Sequence, residues 1–353
     1  MNIFTSILIA ILTIFALKRH NSAQENGIGN KRFIIAIVCG AFPYIDNVFG
    51  LFDKSIQLAY QNTFLWSFLL IPAYALAFTM IFKTWFGEKV DPKFLYIGIL
   101  GSMMIVAFFN LLGNDGLAIL YPVTDLKVAL HLMHSFDLIL FLICLTGVIL
   151  LVTSKRHRRD IARGFMALFT IYVIAVASFS YKARLAAYDY ANALNLKVEK
   201  VYTIAQPLSV FNWRVMVFTE DKKIHDSFIT LKDEQLQFED GRANRVAKLY
   251  KPAKKAVWRI YRQVHPYYQA QYDAVQKHYG DNPIAQDLLK FSILKDSINY
   301  KQYRCLRFKD LRTEGVRKSL KGNTLFCQNP KTKSVKVLAG SKEKYEDISN
   351  LFN

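Results

Sequence analysis

The sequence GAFPYIDNVFGLFDKSIQLAYQNTFLWS, residues Gly40 to Ser67, joins the second apolar segment of the chain to the third. It places Asp46 near the end of an apolar run and shortly after Pro43. A carboxylate is costly within hydrocarbon but is tolerated at the boundary between membrane and water. If the chain has an active site, we expect it in this stretch.

The two halves of the chain differ in composition. Of its 353 residues, 52% are hydrophobic, and the formal net charge is +19. As far as Phe179 there are 14 Lys and Arg against 9 Asp and Glu, and from Ser180 onward there are 32 against 18. We therefore predict a transmembrane helical domain over residues 1–179 and a soluble, basic α+β domain over residues 180–353.

Six apolar segments in the first half are near the length that spans a bilayer. They predict an α-helical polytopic membrane domain of about six helices. The first segment has no charged residues before it and no clear cleavage site after it, so we interpret it as a retained helix. The segments are Ile3 to Leu17, Phe33 to Phe52, Phe64 to Phe82, Phe94 to Leu112, Ser135 to Val152 and Phe165 to Phe179.

The loops between these segments predict the orientation of the chain. One alternate set of loops carries twelve Lys and Arg residues, whereas the other carries only Lys54 and Lys127. Short basic loops stay in the cytoplasm, which places the first set there. The sequence thus predicts a multi-pass protein of the inner, cytoplasmic membrane whose C-terminal domain is in the periplasm.

The second half has stretches of β-branched and aromatic residues separated by turn residues, which predict an antiparallel sheet. Two other stretches, Arg242 to Val264 and Pro283 to Ile298, are interpreted as helices. The predicted strands are Val198 to Ile204, Asn212 to Thr219, Ile224 to Leu231, Arg304 to Phe308, Thr324 to Gln328 and Ser334 to Leu338.

The soluble half contains two cysteines, Cys305 and Cys327. An oxidising periplasm would permit them to pair if their strands lie side by side. The alternative is two separate buried thiols. No CxxC pair occurs in the chain, which argues against a zinc ribbon.

The predicted topology brings polar helix ends together with Asp46 at the outer membrane face. They are either an active site or ordinary helix caps exposed to water. The residues concerned are Thr5, Ser6, Gln61, Asn62, Ser67, Asn110, Asn114 and Asp115.

Several short motifs along both halves carry a resemblance to a known family. They are Pro43-Tyr44-Ile45-Asp46, FNLLGNDGLAILYP from Phe109 to Pro122, Asp137, Gln206-Pro207 leading into Trp213-Arg214, and Asp310-Leu311-Arg312. In these motifs the chain resembles the bacterial membrane-bound metal-dependent hydrolases, also described as LexA-binding, inner-membrane-associated hydrolases. The resemblance implies metal-dependent hydrolysis, with Asp46 as catalytic residue and metal ligand.

The chain departs from that family where the family has its metal ligands. The first Asp of the family motif is Tyr44 here, and a later Asp is Asn110. The family's His near the start of helix one is replaced by Ser6, and the two His residues that open helix three are replaced by Gln61 and Trp66.

A hydrolytic metal ion needs about three His or carboxylate ligands and an open position for water. The candidate ligands are Asp46, Asn110, His131 and His134. Zinc is the first choice of divalent metal, and the alternative is that no metal is bound. If the region is helical, His131, His134 and Asp137 share one face. The alternative for these histidines is a solvated or packing role.

Two functions follow from these observations. The first is a metal-dependent hydrolase acting at the outer membrane face. The second is a catalytically degenerate member of that family that serves as a structural or interaction protein. Membrane lipid is the expected partner. Nucleic acid is not expected, because the basic aromatic stretch from Leu249 to Tyr272 belongs to the domain predicted to be outside the cell.

Overall fold

The computed structural model describes residues 2–17, 31–46, 62–86, 91–114, 116–124, 126–206, 209–234, 247–262, 264, 268–279, 289, 292–311, 323–330, 335–341, 344–347 and 349. These residues divide into two compact units. The first takes in the described residues as far as Tyr181, with 204–206, 209 and 210. The second takes in the other described residues.

The described part of the chain contains seven α-helices. They are α1 Ile3–Ala16, α2 Lys31–Ala41, α3 Ile71–Phe86, α4 Pro92–Leu111, α5 Leu138–Thr153, α6 Arg158–Ala193 and α7 Gln269–Tyr279.

The helix α1 is the centre of the first unit. Every residue from Ile9 to Phe15 is buried, and the helix packs against α2, α4 and α5. Its one polar side chain in that stretch, Thr13, donates a hydrogen bond to the carbonyl of Ile9 at 2.8 Å. An apolar helix that is buried on all sides is a core element.

The prediction of a six-helix polytopic domain is wrong. In the described residues, only α4 and α6, of 20 and 36 residues, are long and apolar enough to span a membrane. The apolar helices α1, α3 and α5 have 14, 16 and 16 residues. They rise only about 21 to 24 Å, against a hydrocarbon core of about 30 Å. The second predicted segment, Phe33 to Phe52, is not one continuous helix, because α2 is followed by the 3-10 turn Phe42–Ile45, which contains Pro43.

Ten strands follow α6, and they form two sheets. The strands are β1 Val198–Ala205, β2 Asn212–Thr219, β3 Lys223–Thr230, β4 Lys251–Pro252, β5 Arg259–Arg262, β6 Ser292–Tyr300, β7 Tyr303–Asp310, β8 Asn323–Gln328, β9 Val335–Ser341 and β10 Lys344–Asp347.

The first sheet has the order β1-β2-β3-β4, and β5 also pairs with β3. The β3–β4 pair is parallel, whereas β3 is antiparallel to β2 and β5. The second sheet is an antiparallel meander in the order β10-β9-β8-β7-β6. One face of this second sheet is covered by α7, whose Tyr272 and Tyr279 join Phe308 and Phe326 in its core.

The expectation of one antiparallel sheet is therefore corrected to two sheets, of which the first is mixed. All six predicted strands are present within three residues at each end. The helix predicted over Arg242 to Val264 is wrong, because residues 251–262 form β4, a short turn and β5. The helix predicted over Pro283 to Ile298 is wrong from Ser292 onward. Pairing with β3 and β7 decides these segments, since strand formation depends on neighbours more than helix formation does.

Candidate functional site

The carboxylate of Asp46 is buried in the first unit and accepts two hydrogen bonds on the same oxygen. The backbone N–H of Asn62 donates to Oδ2 at 2.9 Å, and the indole Nε1–H of Trp66 donates to it at 3.3 Å. Asn62 takes a positive φ of 61°. Asparagine tolerates this left-handed conformation better than most residues. Donors of this kind are what a buried carboxylate requires.

Tyr44 lies between this carboxylate and helices α1 and α4. Its ring packs edge-on against the ring of Trp66, with centroids 5.1 Å apart. Its hydroxyl is 2.7 Å from Oγ of Ser6 and donates to Oδ1 of Asn110 at 3.4 Å. We call Ser6, Tyr44, Asp46, Asn62, Trp66 and Asn110 the polar cluster.

A close approach of the α1 and α2 backbones brings these side chains together. A Cβ atom on Gly40 would lie 2.6 Å from Cα of Ile7, so α2 can approach α1 this closely only at a glycine. The turn Phe42–Ile45 starts just after this contact and holds Tyr44 beside Ser6.

The segment that carries Trp66 is fixed by the residue that follows it. Trp66 ends the 3-10 turn Phe64–Trp66. Oγ of Ser67 then donates to the carbonyl of Tyr121 at 2.5 Å, and the N–H of Phe68 donates to the carbonyl of Ile119 at 2.9 Å. The loop after α4 thereby holds the indole in place.

The predicted helical face at His131, His134 and Asp137 does not form, because α5 begins only at Leu138. His131 has a positive φ of 55°, and its N–H donates to the carbonyl of Gly113. Nδ1 of His134 accepts from the N–H of Phe136 at 3.3 Å.

Asp137 has a structural role at the start of α5. Its Oδ1 accepts from the N–H of Leu140 at 2.9 Å, as the N-cap of the helix. Its Oδ2 accepts from the hydroxyl of Tyr172 on α6 at 2.6 Å. The side chain thus links the two helices.

The donor set of the polar cluster does not fit a catalytic zinc ion. A single carboxylate, Asp46, is joined by a hydroxyl, a phenol, two amides and an indole. Zinc sites use about three His, Cys or carboxylate ligands. Within the described residues, no group of three His, Cys, Asp or Glu side chains could hold a metal. Gln61 and Asp115 lie outside the described residues.

The second unit contains a buried ion pair that sequence reasoning missed. Nε and Nη2 of Arg214 donate to the two carboxylate oxygens of Asp226 at 2.6 and 3.0 Å, and both side chains are fully buried. Arg259 lies 3.4 Å from the same carboxylate. The ring of Phe228 is within 5.2 Å of both guanidinium groups. The sequence could have indicated this pair, because Arg214 and Asp226 are charged residues within two predicted neighbouring strands, β2 and β3.

A polar contact in the same unit joins the buried His225 on β3 to the half-buried Tyr190 on α6. Nδ1 of His225 is 2.9 Å from the hydroxyl of Tyr190, whose ring stacks on Trp258 with centroids 3.8 Å apart. Burial lowers the pKa of His225 below its ordinary value, partly offset by Asp221. The surroundings of the imidazole therefore favour its neutral form.

The hypothesis that Cys305 and Cys327 pair is confirmed. They lie directly opposite each other on β7 and β8 and form a disulfide with a Cα–Cα distance of 3.9 Å.

Comparison of the chain with protein-family models, with curated proteins and with solved structures finds no match. The resemblance to membrane-bound hydrolases therefore stays a hypothesis based on the motifs themselves.

Proposed function

We propose that the chain is a membrane-anchored protein with a structural or interaction role, in which the polar cluster holds helices together and does no chemistry. It would be a catalytically degenerate relative of the hydrolases that it resembles. The observation that carries this proposal is the Tyr44 hydroxyl, which lies between Ser6 on α1 and Asn110 on α4.

The resemblance places family His ligands at the positions of Ser6, Gln61 and Trp66, beside the candidate ligands Asp46 and Asn110. Gln61 lies outside the described residues. The other four belong to the polar cluster, in which Ser6 and Asn110 contact Tyr44 and Trp66 donates to Asp46. Hydrogen bonds between side chains in a protein interior favour one packing arrangement over others. In this proposal these side chains serve packing in place of metal binding.

Membrane anchoring is proposed through α4 and α6. Lys93 lies at the N-terminal end of α4, and Arg158, Arg159 and Arg163 lie at the N-terminal end of α6. By the positive-inside rule both ends face the cytoplasm. The chain would then return between them through α5, which at 16 residues is shorter than a full span and would need a locally thinned bilayer. The strands after α6 would be periplasmic. The disulfide supports this orientation, because disulfides persist in oxidising compartments.

Metal analysis of the detergent-purified protein tests the structural role. We expect less than stoichiometric zinc or other divalent metal, both in the parent protein and in an Asp46→Asn variant. Stoichiometric metal in the parent that is lost in Asp46→Asn would overturn the proposal and favour the metal-dependent hydrolase.

Reporter fusions after Asn353 test the anchoring. Alkaline phosphatase, which needs export for activity, should be active there, and a reporter that works only in the cytoplasm should be inactive. The reverse pattern would reject the proposed orientation. A protein that stays in the soluble fraction would reject anchoring itself.

A further inference from the structure

The segment KLYKPAKKAVWRIYR, residues 248–262, carries six cations and no acidic residue. We call it the basic segment. It comprises β4, the turn Ala253–Lys255 and β5 in the second unit. In the described part of the chain β5 pairs with β3 alone, so the segment runs along an edge of the first sheet.

Four of the six cations of the basic segment have no carboxylate partner in the described part of the chain. Lys248, Lys254, Lys255 and Arg262 are exposed, and among the described residues none of the four has a carboxylate within ion-pair distance. Arg259 differs, since it lies against the buried Asp226. The exposed side of the segment therefore presents concentrated positive charge.

Aliphatic side chains stand among these cations. Leu249, Val257 and Ile260 are 41%, 65% and 59% exposed. On β5, Ile260 and Arg262 alternate with the less exposed Arg259 and Tyr261, so they share the outward face of the strand. A surface that combines cations with protruding aliphatic groups matches the boundary between lipid headgroups and acyl chains.

The same surface suits nucleic acid poorly. Binding to single strands relies on aromatic rings on which bases stack. The indole of Trp258 is already stacked on Tyr190. The exposed apolar groups at the centre of the segment are aliphatic.

We propose that the basic segment is a docking surface for the headgroups of anionic lipids. Lys254, Lys255 and Arg262 bind the headgroup phosphates, and Val257 and Ile260 insert at the interface. This lipid-docking surface is a site beyond the proposed membrane anchors α4 and α6. It rests on the proposed anchoring only because the anchors keep the second unit close to a bilayer. Each cation near an anionic surface raises the ratio of docked to undocked segments roughly fivefold.

The test uses the full chain, with Val257→Cys carrying an environment-sensitive fluorophore. The two free cysteines, Cys39 and Cys144, are buried and should not label in the folded protein. The protein is reconstituted into nanodiscs of phosphatidylcholine alone or with a quarter phosphatidylglycerol. We expect a blue-shifted, quencher-protected signal only with the anionic lipid, and its loss at high salt.

Lys254→Gln with Lys255→Gln should lower the docked fraction, roughly fivefold for each lysine. The matched control, Lys277→Gln with Lys295→Gln, removes the same charge from exposed positions elsewhere in the second unit and should leave the signal unchanged. Identical signals in the two nanodiscs, or equal effects of the two variants, would overturn the proposal. So would a response to an added oligonucleotide in place of anionic lipid.

If the proposed anchoring is wrong, the result differs from a failure of lipid docking, because the protein would not co-float with lipid in a density gradient. In that case vesicles of the same two compositions are added to the labelled protein. Binding to the anionic vesicles alone would support the surface, and binding to neither would overturn it.

Discussion

The indole Nε1–H of Trp66 donates to Oδ2 of Asp46 across 3.3 Å, with both side chains buried. This contact gives one oxygen of a carboxylate buried among helix ends a hydrogen-bond donor. Hydrogen bonds to a charged group are stronger than those between neutral groups.

Trp66→Phe should therefore destabilise the first unit. It keeps most of the apolar contact but removes the donor, at a cost of about 2 kcal/mol. The thermal unfolding midpoint in detergent measures the effect. Trp85→Phe is the matched control, because Trp85 is 73% exposed on α3. Equal midpoints for the two variants would mean that the bond to Asp46 contributes nothing.

Tyr44 and Ser6 should be coupled energetically. Tyr44→Phe and Ser6→Ala each remove one side of a 2.7 Å hydrogen bond. In a double-mutant cycle we expect a coupling free energy of about 1 kcal/mol, because either single change already removes the shared hydrogen bond, so the second change cannot remove it again. Strict additivity of the two single changes would contradict the cluster as a cooperative network.

Gly40→Ala should separate α1 from α2. The new Cβ would lie 2.6 Å from Cα of Ile7, so the backbones must move apart, at a cost of about 1 to 3 kcal/mol. Gly98→Ala in α4 is the control, since a Cβ there meets nothing within 4 Å. We expect the control to be neutral or stabilising, because alanine favours the helix. The prediction fails if both variants unfold at the same temperature.

Cys305 and Cys327 should resist labelling in the denatured protein until a reductant is added. In the denatured protein, two of the four cysteines should react with the label before the reductant is added, and all four should react afterwards. Cys305→Ser with Cys327→Ser should lose about 2 to 4 kcal/mol of stability, since the bridge closes a loop in the unfolded chain. Four reactive thiols without reductant would contradict the disulfide.

His225 should make the second unit sensitive to acid. Its pKa in the folded protein lies below the ordinary value of about 6.5, so the unfolded state binds the proton more readily. Above a pH of about 6.5, His225 is neutral in both states and does not lower the free energy of unfolding. As the pH falls from there through the pKa of His225 in the folded protein, the free energy of unfolding decreases.

His225→Gln should flatten the fall of the unfolding midpoint between neutral and acidic pH. His278→Gln changes an exposed histidine on α7 and should keep the slope of the parent protein. Parallel pH profiles for the parent protein and His225→Gln would exclude His225 as the cause.

The sequence by itself determined features that depend on local pattern. Apolar runs located α1 to α6, and alternation with turn residues located β1 to β3 and β7 to β9. Asp46 could be singled out because a carboxylate near apolar residues is costly wherever the chain places it. The pairing of Cys305 with Cys327 could only be proposed, because it requires two strands to be neighbours.

The tertiary structure decided what surrounds each segment. An apolar run such as α1 is equally suited to lipid and to a protein core, and only its packing against α2, α4 and α5 makes it a core helix. The strand β5 is highly basic, and pairing with β3 makes it a strand. The contact of Ser6 with Tyr44 depends on the backbone approach at Gly40, which no local pattern specifies. Periodicity is a property of nearby residues, whereas burial and hydrogen-bond partners are set by residues distant in the chain.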